Sequence, residues 1–245
     1  MNIDLTEMRQ VAAAQDVPRM DMYAGIHKAL RALMADTLVA VGRMDTGDAL
    51  ELAQTVQRVM ELLDFCASHL QHENQFVHAA IEARAPGASD VIAHEHEAHE
   101  RHIAELGEVA GALLQCPVPG RAAAALSLYR QLALFIADNF QHMHVEETAH
   151  NAVLWARYTD AELADVHHAL VASIPPDEMM YIMRWLVPFM SPAERTAVLA
   201  DMQAQAPAPA FAAVLDTVRP HLTETEWAKL ARSLGLAAVP GLVQG

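Results

Sequence analysis

Residues four apart on a helix stand one above the other on the same face, so a His-x-x-x-Glu pair presents an imidazole and a carboxylate to one point in space. The chain holds four such pairs, His69/Glu73, His78/Glu82, His96/Glu100 and His142/Glu146, and 14 histidines among 245 residues. Imidazole and carboxylate without thiolate suit iron first, with manganese and zinc as competitors. A single pair arises by chance on a Glu-rich surface helix, so a second constraint is needed. In an up-and-down bundle, residues at one height on consecutive helices lie equally far from the turn that joins them. For the series His27, His69, His99 and His142 the midpoints fall near residues 48, 84 and 120–121. Each coincides with a turn signal: Asp45-Thr46-Gly47, Ala85-Pro86-Gly87 with Ser89 and Asp90 as caps, and Pro117-Val118-Pro119-Gly120. Four imidazoles are therefore predicted to converge at one level, with Glu73 and Glu146 one turn beyond His69 and His142. That set is a frame for two metal ions bridged by two carboxylates, with about two coordination positions open to a small ligand.

The elements that must position these residues are helices. From Met20 onward the chain is rich in Ala, Leu, Met, Glu and Gln, has 5% aromatics, and repeats apolar residues three and four apart. The three turn signals cut out four helices of roughly 25 to 38 residues, the lengths of an up-and-down four-helix bundle. Beyond residue 158 the pattern shifts to short helices opened by capping boxes, Thr159/Glu162, Ser191/Glu194 and Thr223/Glu226, with Pro175-Pro176 starting another. The most apolar segment, Met179 to Met190, is interrupted by Arg184 and Pro188 and reads as a core helix of this C-terminal part. The fold class expected is all-α: an N-terminal arm over 1–18, a four-helix bundle over 19–158 and a C-terminal helical subdomain over 159–245.

Composition removes several functions. Sixteen Lys and Arg against 31 Asp and Glu give a net charge of -15, which a phosphate backbone or an anionic lipid surface repels. Cys66 and Cys116 are too few for a disulfide scaffold or a thiolate zinc site. The first residues carry charges where a signal peptide has an apolar core, and no apolar run reaches membrane-spanning length. No nucleic acid, no membrane and a cytoplasmic location are the expectations.

Over about residues 20 to 158 the chain resembles the hemerythrin-like (HHE) cation-binding domains. The matching elements are Tyr23-Ala-Gly-Ile-His27-Lys-Ala-Leu-Arg31, His69-Leu-Gln-His-Glu73, Glu95-His-Glu-Ala-His99 and His142-Met-His-Val-Glu146-Glu147. The resemblance implies a four-helix bundle holding a non-haem di-iron centre, with His27, His69, Glu73, His99, His142 and Glu146 as metal ligands. The oxygen-carrying members have a fifth histidine on the third helix and an Asp on the fourth; here Glu95 stands one turn before His99. The four-His, two-Glu pattern is closer to members associated with nitric oxide stress and iron-sulfur cluster repair. Ferritin-like carboxylate proteins need Glu-x-x-His on two helices, and only Glu147/His150 fits.

The function expected is a di-iron protein that binds or senses oxygen or nitric oxide as a sensor, store or scavenger. The alternative is a di-iron enzyme or cluster-repair protein acting in nitric oxide or peroxide stress. A protein partner or a second copy would dock through the C-terminal subdomain. His72, His78, His94, His96, His102, His144 and His150 read as solvated polar-face residues. Tyr23, Glu95, His102 and Glu147 stay open as neighbours of the metal site, and Phe65, Phe76, Phe135, Phe140 and the methionines read as core that also lines a dry route to the metals.

Overall fold

The computed structural model describes residues 19–237 together with Thr6, Met8 and Arg9. The arm expected over 1–18 lies, apart from those three residues, outside the described residues. Helix α1 spans Ala24–Arg43 and α2 spans Ala49–His72. Helix α2 runs without a break through a π-helical segment, Glu73–His78, into Ala79–Arg84. Helix α3 spans Asp90–Gln115; α4 spans Val118–Val145 and continues through a second π-helical segment, Glu146–His150, into Asn151–Arg157. Five shorter helices follow: α5 Asp160–Ser173, α6 Pro176–Leu186, α7 Pro192–Gln205, α8 Ala208–Val218 and α9 Glu224–Ser233. No strand occurs among the described residues.

Local chemistry sets the helix ends. The Asp48 carboxylate accepts from the amides of Leu50 and Glu51 and caps α2. Gly87 adopts φ 82°, the left-handed conformation that favours glycine. The loop there is tied by Glu82, which accepts from Gly87 N, Ser89 N and Ser89 Oγ at 2.6 to 3.0 Å. The third turn is shorter than the sequence signal: Pro117 is the N-cap of α4 and Pro119 sits inside the first helical turn, where its missing N–H costs nothing. The three capping boxes beyond residue 158 all form.

The four long helices close a ring in which α1 packs on α2 and α4, and α3 packs on α2 and α4. One apolar cluster fills the interior on one side of the middle, built on Leu30, Leu33, Val59, Leu62, Leu106 and Leu132. A smaller one, Met22, Tyr23, Val77, Ile81, Leu154 and Leu163, fills the far end. Between them the helices bury His27, Glu73, His96, His142 and Glu146. The Met179–Met190 segment serves two cores: Ile182 and Trp185 enter the bundle core, whereas Met183 and Val187 enter a C-terminal cluster with Leu199, Phe211, Val214 and Trp227. No helix among the described residues is long and apolar enough to cross a membrane.

Buried Arg195 fixes the end of this shared segment. It donates through Nε to Val187 O at 3.0 Å and through Nη2 to Pro188 O at 2.9 Å and Met190 O at 3.2 Å, satisfying carbonyls that a helix end leaves orphaned. Arg195→Leu is expected to cost roughly 2 to 4 kcal/mol of unfolding free energy in urea titration, since Pro188 O and Met190 O lose their donor while Val187 O keeps only the Met190 amide; a loss within about 0.5 kcal/mol would mean the end is held by packing alone.

Candidate metal centre

The polar layer is built where two helices change pitch. Both π-helical segments begin at its carboxylates, Glu73 and Glu146, and extra residues in a helical turn are a recurrent device at functional sites. His69 and Glu73 project from α2, His142 and Glu146 from α4, His27 from α1 and His96 from α3. Each carboxylate divides its oxygens between two pairs of imidazoles. Glu73 Oε1 lies 3.6 Å from His27 Nε2 and 3.2 Å from His69 Nε2, and its Oε2 lies 3.6 Å from His96 Nε2. Glu146 Oε2 lies 3.5 Å from His27 Nε2, and its Oε1 lies 3.6 Å from His96 Nε2 and 3.3 Å from His142 Nε2. The nitrogens of His96 and His142 face each other at 3.0 Å, about the separation of two cis nitrogens each ~2.1 Å from one metal ion.

These atoms have no other partners. His27 Nε2, His69 Nε2 and all four oxygens of Glu73 and Glu146 are buried without a hydrogen bond, although buried polar groups are otherwise almost always paired. Two ligand sets, His27/His69/Glu73 and Glu73/His96/His142/Glu146, have their atoms within 4.8 Å of one another. Imidazole nitrogens and carboxylate oxygens aimed at common points suit a cation, which would displace any protons they hold.

An outer ring fixes the imidazoles. His27 Nδ1 is 3.0 Å from Glu147 Oε1, and Arg31 clamps that carboxylate at 2.6 and 3.0 Å. His96 Nδ1 is 2.8 Å from Asn74 Oδ1, and His142 Nδ1 is 2.8 Å from Glu95 Oε2. Occupying Nδ1 turns each Nε2 inward. Glu95 and Glu147 thus hold the His142 and His27 imidazoles from outside the layer, and His102 is exposed.

Of the residues expected to meet, the structure gathers His27, His69, Glu73, His142 and Glu146; His99 is buried with its ring centre 4.6 Å from that of His142 but is not among the converging donor atoms. His99 directs Nε2 to Asp138 at 3.1 Å, and His96, expected on the solvated face, is buried in the layer instead. The early start of α4, with the turn at Cys116–Pro117 rather than centred on 120–121, moves the level of His142 on α3 from His99 in the direction of His96. The pairs His78/Glu82 and His96/Glu100 do not act as pairs, because Glu82 ties the Gly87 loop and Glu100 is exposed. His78 and His150, also expected in solvent, are buried beside the layer. A residue five on from Glu73 turns about 140° away in an α-helix; the π turn keeps His78 on the inner face, which no α-helical projection reveals.

Burial and mutual charge shift the titration of the groups in the layer. Burial pushes the Glu73 carboxyl up to about 8, and the neighbouring Glu146 adds to the rise. Burial alone would push His27 and His142 down, yet Glu147 and Glu73 around His27, and Glu146 and Glu95 around His142, raise both to about 9. His69 is held well below the ordinary imidazole range by burial and by the charge of His27.

The profile of the hemerythrin HHE cation-binding domain matches residues 20–150, more than half of the chain and the whole of this layer. The chain belongs to that family, whose domains bind metal cations, typically iron. No curated protein and no solved structure matches it.

Two outcomes are expected. Glu147→Gln or Glu95→Gln should lower cation affinity about 10- to 100-fold, measured by competition with a chelator, because each frees one imidazole to turn. Without a cation, the folded chain keeps protons on His27 and His142 up to about 9, whereas the unfolded chain releases them near 6.5. Stability of the chelator-stripped protein should therefore fall as pH rises from about 6.5 to 9, and Glu73 acts in the same direction. Cation-loaded protein should keep its melting temperature across that window, and a stripped protein that gained stability there would contradict the charge balance.

Proposed function

We propose that the layer holds two iron ions bridged by Glu73 and Glu146, with His27 and His69 on one ion and His96 and His142 on the other, and that this centre binds oxygen or nitric oxide. The observation that carries the reading is the division of each carboxylate's oxygens between two imidazole pairs. Two nitrogens and two carboxylate oxygens per ion leave positions unfilled on a six-coordinate metal. An iron pair so held supplies open coordination positions and redox electrons to a diatomic ligand.

The chain's own contribution is to hold and screen. Glu147, Asn74 and Glu95 orient three imidazoles, and the two apolar clusters seal the layer above and below. A cavity of about 840 Å³ lies between the bundle and the C-terminal helices and reaches His69 and Glu73. Phe65, Ile26, Met179, Met183 and Met190 line it together with Asp21, His72, Glu178 and Asp201. Of the phenylalanines expected along a route to the metals, Phe65 lines this cavity and Phe76, Phe135 and Phe140 do not. The reading is of a sensor, store or scavenger in the cytoplasm, with the helices beyond residue 158 covering the route and meeting a protein partner or a second copy.

Elemental analysis of protein purified without added metal should find about two irons per chain, with a near-ultraviolet spectrum that changes on anaerobic addition of nitric oxide. His69→Ala, His142→Ala and His96→Ala should each remove most of the iron and lower the melting temperature of the loaded protein, whereas His99→Ala should leave the iron content nearly intact. Iron lost with His99→Ala and kept with His96→Ala would overturn the ligand set. A single stoichiometric zinc in the wild type would overturn gas binding.

A further inference from the structure

Beside the two-ion layer stand two imidazoles that neither the ligand set nor the fold requires. His78 is 5% exposed and His150 is 2% exposed, next to Glu146 at 0%. One nitrogen from each and one Glu146 oxygen lie within 4.8 Å of one another. We infer that His78, His150 and Glu146 form a third cation position, one helical turn beyond the bridging carboxylates.

Several independent features support it. His78 Nε2 is buried with no hydrogen bond, and a buried imidazole nitrogen left unpaired costs free energy. His78 is held in place, stacked on His96 at 4.8 Å between ring centres and edge-on to His150 at 5.3 Å. His150 is held by its other nitrogen: Nδ1 lies 3.1 Å from Tyr23 Oη, which leaves Nε2 as the atom available to an ion. Tyr23 therefore stands to His150 as Glu147 stands to His27, an outer partner that fixes which nitrogen is presented. Two imidazoles and one carboxylate are the donor set of divalent iron, manganese or zinc. A carboxylate has about four lone-pair sites, so Glu146 can serve the pair and the third position together.

The third position rests on the two-ion reading only through this sharing of Glu146. It has one carboxylate where each deeper position has two, so it binds more weakly and fills last. The π turns give it a structural origin, because without the extra residue after Glu73 the His78 ring would leave the interior.

The test is a titration of chelator-stripped protein with Co(II) under anaerobic conditions, reading bound metal by equilibrium dialysis and elemental analysis. The wild type should take up two ions tightly and a third at least tenfold more weakly. The double variant His78→Phe/His150→Phe, which keeps aromatic packing, should stop at two ions with unchanged tight affinity. Wild type saturating at two, a variant that still takes three, or a variant that loses a tight ion would each overturn the third position. Wild type that binds one ion or none would instead overturn the two-ion reading. Because the double variant has altered core residues, anomalous scattering from wild-type crystals soaked in Co(II) asks the same question directly: a peak among His78, His150 and Glu146 is expected, and its absence with both deeper positions filled would overturn the inference.

Discussion

Two carboxylates face each other in the middle of a helical bundle, away from water, and the rest of the molecule is arranged around that fact. Isolated, such a pair is among the most costly things a protein can bury. Here Glu73 and Glu146 are surrounded by imidazoles whose outer nitrogens are tied to Glu147, Asn74 and Glu95. In the absence of a cation, protons on Glu73, His27 and His142 carry the compensating charge. A bound cation supplies that charge without them, which couples occupancy of the site to stability of the bundle.

The constraint explains the departures from regular helix. A continuous α-helix brings one residue per turn to a given line, and α2 must bring His69, Glu73 and then His78 to the interior. The π-helical segment starting at Glu73 accommodates that sequence of inward residues, and its counterpart in α4 starts at Glu146. Apolar clusters lie on either side of the polar layer, so the imidazoles are held by packing above and below as well as by hydrogen bonds.

The C-terminal helices bear on the same layer from outside. Segment 179–190 contributes to the bundle core through Ile182 and Trp185 and to its own core through Met183 and Val187. The cavity that reaches His69 and Glu73 is walled on one side by this segment. Residues far from the layer in sequence thus share a cavity with His69 and Glu73, and Arg195 fixes the end of the segment that carries them.

Much of this was legible in the chain because it is local. Four long helices follow from composition and punctuation, and the short ones from capping boxes whose partners are three residues apart. His69/Glu73 and His142/Glu146 share a face by α-helical geometry, and His27 followed from its distance to a turn. His96 was not legible, since its level depends on whether Pro119 belongs to a loop or to the first turn of α4, and proline is compatible with both. His78 was hidden for a different reason: it lies five residues on from Glu73, the pitch of a helix is decided by what its side chains must meet on other helices, and a projection made from one helix assumes that pitch. His150, four on from Glu146, was on the inward face of an ordinary helical projection, and only packing shows that it is buried. Helices and donor types follow from the order of residues alone; which of the 14 histidines face inward depends on packing, because the two buried carboxylates are met by groups from all four helices at once.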